Sequence, residues 1–102
     1  MKLKDFNETF KSELQDTEFA LGYLQDALED GGIKLFLLAL KDVVEANKGI
    51  NKTENEANLE KEKLFTEFLA NKEPQLVTIE KVLKSLGFQM SVTKVLPLST
   101  VQ

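Results

Sequence analysis

Neither cysteine nor histidine occurs in this chain of 102 residues. The first absence excludes disulfides, thiolate metal sites and cysteine nucleophiles. The second removes the commonest general base near neutral pH and the commonest transition-metal ligand. Arginine is missing too: all 13 cations are lysine. The bidentate guanine contact that arginine makes best is therefore unavailable, and lysine is a poorer substitute. A low-GC genome, whose codons favour lysine, asparagine and isoleucine, would leave the same imprint. No apolar run approaches the roughly 20 residues that span a bilayer, so no membrane association is expected. Residues 1–6 lack the apolar centre of a signal peptide, and a cytoplasmic location is the expectation. Without a phosphate loop or a cofactor motif, neither enzyme activity nor a bound cofactor or metal is expected.

What is present is enough for one folded unit. Hydrophobic residues make up 42% of the chain, which argues against disorder. At this length roughly two-thirds of the unfolded surface can be buried, enough for a single core. The net charge of −4 lacks the strongly basic balance that often marks nucleic-acid binders.

Periodicity divides the chain into mostly helical pieces. Phe6, Phe10 and Leu14 recur every fourth residue, which predicts a short helix or arm over residues 1–15. Asp16 is a candidate N-cap, with Glu18 well placed in the first turn. Ala20, Tyr23, Leu24, Ala27 and Leu28 then form an apolar stripe that ends at Gly31 and Gly32. A second helix is predicted from about Ile33 to Asn47. Leu35, Phe36, Leu38, Ala39, Leu40, Val43 and Val44 cover more than one of its faces, so it should sit centrally. Two short helices fit the polar stretch that follows, about Lys52 to Ala57 and Glu60 to Leu69, with a left-handed turn at Asn58. Pro74 marks a break. A last helix is predicted from Thr78, its cap, to Ser85, ended by Gly87. Phe88 to Val92 alternates apolar and polar residues, as a short strand would. Residues 93–102 are expected to fray.

Four of these pieces, in order, resemble one bacterial family. They are Tyr23-Leu24-Gln25-Asp26-Ala27-Leu28-Glu29-Asp30-Gly31, then Phe36-Leu37-Leu38-Ala39-Leu40-Lys41-Asp42-Val43, then the stretch around Asn58 to Leu69, then Lys81-Val82-Leu83-Lys84-Ser85-Leu86-Gly87. The pattern is similar to the addiction-module antidotes (antitoxins), which carry a Cro/repressor-type (XRE-like) helix-turn-helix. The resemblance covers about residues 16–92. It implies an all-α, lambda-repressor-like domain of about five helices with a short C-terminal β segment. It also implies two activities: binding a ribonuclease-type toxin of the RelE/HigB sort, and binding the module's own promoter as a homodimer.

A helix-turn-helix projects the start of its second helix into the major groove. Leu59, Leu64, Phe65, Phe68 and Leu69 match the family's apolar positions, and Asn58 stands in for its turn glycine. Thr53 and Glu54, however, occupy the leucine and small-residue positions of the first helix. An unpaired buried Glu54 would cost several kcal/mol, so either that helix is rotated or the unit is distorted. On the resemblance, the DNA contacts would be Lys52, Asn58, Lys61, Lys63 and Thr66, with Lys61 nearest the bases. Residues 50–72 hold four lysines against five glutamates, so phosphate neutralisation gives little drive. The same residues also read as a solvated charged helix, and a protein-interaction module that has lost DNA binding is the alternative function. The carboxylates Asp26, Glu29 and Asp30 suggest a solvated turn rather than a metal site.

Overall fold

The structure is a computed structural model and describes residues 10–48 and 56–93. Four helices follow one another there: α1 over residues 10–14, α2 at Thr17–Asn47, α3 at Glu56–Ala70 and α4 at Leu76–Ser85. The expectation was about five helices and a β segment.

Helix α2 starts where a side chain can cap it. Asp16 is extended, and its carboxylate accepts the Glu18 amide at 3.1 Å, which satisfies one of the unpaired donors of the first turn. The helix is interrupted at Gly32, whose φ of 70° and ψ of −159° lie outside helical space. That region is open essentially to glycine alone. At Gly31 a Cβ would come within 2.5 Å of the Leu35 Cβ. One glycine thus supplies the bend and its neighbour the clearance, and α2 divides into two helical halves at the predicted break.

The half of α2 beyond the kink is the centre of the molecule. Leu40, Val43 and Val44 are fully enclosed, and Phe36, Ala39 and Ala46 are buried beside them. Leu35 and Leu38, expected on the covered faces, are exposed instead, so the burial is one broad face rather than the whole circumference. Helix α3 packs on α2 and α4 packs on α3. Phe65 and Phe68 of α3 and Val82 of α4 are without solvent contact. Burying each such side chain contributes about 1.5–3 kcal/mol.

Polar contacts fasten α1 to the end of α2. The Gln15 side-chain amide donates to the Ala46 carbonyl at 2.9 Å. The Asn47 amide donates to Val43 O at 2.7 Å and to Leu14 O at 3.3 Å. Leu14 is buried, and Phe10 meets the Tyr23 ring edge-on at 5.6 Å.

Three local expectations are corrected. Helix α3 runs unbroken through Asn58, and no non-glycine residue among the described ones has positive φ, so the left-handed turn expected there is absent. Every residue around Asn58 tolerates a helix, and no glycine or proline forces a turn. Helix α4 begins at Leu76 after Gln75, so Thr78 sits inside it rather than capping it. The segment 88–93 forms no strand: no ladder partner lies among the described residues. Its start is fixed instead by the end of α4. Gly87, with φ 96°, follows Leu86; the Gly87 amide donates to Lys84 O at 3.0 Å and the Phe88 amide to Leu83 O at 2.8 Å. That paired bonding closes the helix in a Schellman arrangement. The predicted first helix of the DNA-reading pair lies largely outside the described residues, as do Phe6 and most of the tail.

Candidate functional site

Helix α3 presents one face to solvent and holds the other in the core. Leu59, Glu60, Lys63, Thr66, Glu67 and Ala70 are exposed, whereas Phe65 and Phe68 are enclosed and Leu64 and Leu69 half-buried. The two phenylalanines fix the rotation of the helix, and with it which side chains point outward.

The expected contact residues divide on this helix. Lys63 and Thr66 share the exposed face. The Thr66 hydroxyl donates to the Glu62 carbonyl one turn back, at 2.9 Å, a bond that leaves its oxygen able to accept. Lys61 is half-buried, with its ammonium 5.9 Å from the centre of the Phe65 ring. It has a structural task of its own there, worth about 0.5–1 kcal/mol at an exposed site. Asn58 is half-buried, and Lys52 lies outside the described residues. Over its length α3 carries two lysines and four glutamates.

A second feature is an apolar groove of about 280 Å³ at the kink of α2, which the sequence reading did not single out. Leu21, Leu24 and Leu28 from before the kink line it, with Ile33 and Phe36 from beyond it and Met90 from the segment after α4. Gln25 and Leu28 also line a second depression, a shelf formed with Asp26, Glu29 and Thr93. The stripe containing Leu28 looked like core in sequence, because its spacing matches that of a buried face. The only hint of the groove was an apolar isoleucine placed directly after two glycines. Asp26, Glu29 and Asp30 are exposed, and among the described residues no three carboxylates converge on a metal position.

Tyr23 and Asp42 lie on opposite sides of the kink. The Tyr23 hydroxyl donates to Asp42 Oδ2 at 2.6 Å. Partial burial, then the Asp42 acceptor and its charge, push the phenol pKa up from 10.0 to about 12. The bond ties the two halves of α2 together away from the bend itself.

The model of a family described as "probable addiction module antidote protein" matches residues 2–94. The chain belongs to this family. An uncharacterized protein of Haemophilus influenzae is also similar, 30% identical over 91 residues that cover 89% of this chain and 91% of the relative. No solved structure matches. Of the residues that carry the resemblance, Tyr23 and Asp42 form the bridge across the kink, Gly31 gives the bend its clearance, and Gly87 closes α4. The fold itself accounts for these residues. No helix among the described residues is long and apolar enough to cross a membrane.

Proposed function

We propose that this chain is the antidote of a toxin–antidote module and acts by protein contact, holding a small ribonuclease-type toxin of the RelE/HigB sort inactive. The observation that carries the reading is the family match over residues 2–94, which implies a toxin partner and a regulatory rather than catalytic role. Charge supports the protein mode. A toxin that cleaves RNA must bind a polyanion and so needs a cationic surface, and an antidote of net charge −4 complements it. The test is co-expression with the product of the adjoining reading frame. That product alone should arrest growth; with this chain present, growth should recover and the two should co-purify. Arrest that persists despite abundant folded antidote refutes the proposal.

A second activity, promoter binding as a homodimer, draws on the outward face of α3. Lys63 and Thr66 stand on a helix held firmly by Phe65 and Phe68. Lys52, Asn58 and Lys61 complete the proposed contact set. Two half-sites read by a dimer would reinforce a weak single contact. A gel shift on the module's upstream region tests it. Binding should appear at low salt and fall steeply as salt rises, and Lys63→Ala should lower the salt slope by about one. Failure to retard the DNA at any salt removes the promoter role and leaves the antidote as an interaction module.

A further inference from the structure

We infer that the groove at the α2 kink is the docking site for a cationic amphipathic segment of the toxin, one with apolar residues a helical turn apart and lysine or arginine at their flank. The inference rests on the proposed toxin-binding role and adds where and how the toxin is held.

Three observations carry it. The first is apolar surface in water. Leu28 is 47% exposed, Ile33 57% and Met90 41%, all around one concavity. Single exposed apolar residues are ordinary, but several around one cleft mark an interaction site. The second is support from beneath. Leu24, Phe36 and Leu83 are buried at the floor, so the groove is backed by packed core and has a fixed shape. The third is charge. Gln25 and Leu28 line both the groove and the depression that Asp26 and Glu29 border. From Thr17 to Leu40 the chain carries Glu18, Asp26, Glu29 and Asp30 against one cation, Lys34. An occupant with apolar side chains in the groove and cations over the shelf satisfies both halves of the surface. A second copy of this chain offers no such occupant, because the same patch on both copies carries four carboxylates against one lysine, and like charges brought together at an interface cost several kcal/mol.

The experiment measures binding of the adjoining reading frame's purified product by calorimetry. Ile33→Asp and Met90→Asp place a charge in the groove at residues the fold leaves exposed. Each should weaken binding by about tenfold or more, as loss of a central contact does. The pair Asp26→Lys and Glu29→Lys should weaken it by a similar factor, chiefly through slower association. Glu45→Lys, an exposed charge reversal that lines neither the groove nor the shelf, should leave affinity unchanged. Circular dichroism on each variant confirms that the helices remain. Undiminished affinity in the groove variants overturns the docking site while the antidote reading stands. A parent protein that binds no such product removes both. Conversion of a dimer of this chain to monomers by Ile33→Asp would show the groove to be a self-interface and would also overturn the inference.

Discussion

Removing the Tyr23 hydroxyl isolates the bond across the kink of α2. Tyr23 donates to Asp42 at 2.6 Å, and the ring stays anchored against Phe10 when tyrosine becomes phenylalanine. A hydrogen bond to a charged acceptor contributes about 1.5–3 kcal/mol where solvent is excluded. Asp42 is exposed and Tyr23 half-buried, so screening by water reduces this to about 1 kcal/mol. Tyr23→Phe should therefore lower the melting temperature by about 4–8 °C for a domain of this size. Asp42→Ala should cost a similar amount, and in the double variant the coupling should be about 1 kcal/mol. The pH dependence has a definite sign. The phenol pKa is about 12 in the folded chain against 10.0 ordinarily. The stabilisation is complete below pH 10 and is lost as pH rises through about 12, because the unfolded chain gives up this proton more readily. The informative quantity is the difference between the parent protein and Tyr23→Phe. Tyr23 is the single tyrosine of the chain, so its phenolate absorbance reports the titration without interference. Coupling near zero, or a native titration midpoint at the ordinary tyrosine value, would refute the bridge.

Other substitutions test the backbone and the core. Gly32→Ala should destabilise by about 1–3 kcal/mol, since its backbone region is nearly closed to other residues. Gly22→Ala, inside α2 with nothing near its Cβ position, should stabilise by about 0.5–1 kcal/mol. Urea titration measures both, and equal signs would contradict the kink. Phe68→Ala should cost about 3–5 kcal/mol and loosen α3, seen as a lower urea midpoint and faster amide exchange along that helix. Lys61→Ala should lower stability slightly through its contact with Phe65, whereas Lys63→Ala should not, so any change in DNA affinity with Lys63→Ala comes without a change in fold.

What could be read from the sequence was local or strongly periodic. Asp16 beside Glu18, the glycine pair and Gly87 each act within a few residues of themselves, so their roles followed from residue type. Phe65, Phe68 and Val82 lay on clear apolar faces. The readings that differed depended on what lies further off. Asn58 permits a turn without requiring one, and the neighbouring residues keep α3 helical through it. The alternation from Phe88 to Val92 suits a strand, but an alternating segment forms none without an edge to pair with. The groove was hidden because Leu28 and Ile33 keep the spacing of core residues while the bend at Gly32 turns them toward water. The Tyr23–Asp42 bond spans 19 positions and becomes visible only when the two halves of α2 are seen side by side.

The most direct test of the antidote reading is a titration of RNA cleavage by the adjoining reading frame's product with increasing amounts of this chain. The account predicts that cleavage falls to nothing at a fixed molar ratio of the two chains. Cleavage that continues undiminished in the presence of excess folded antidote would contradict it.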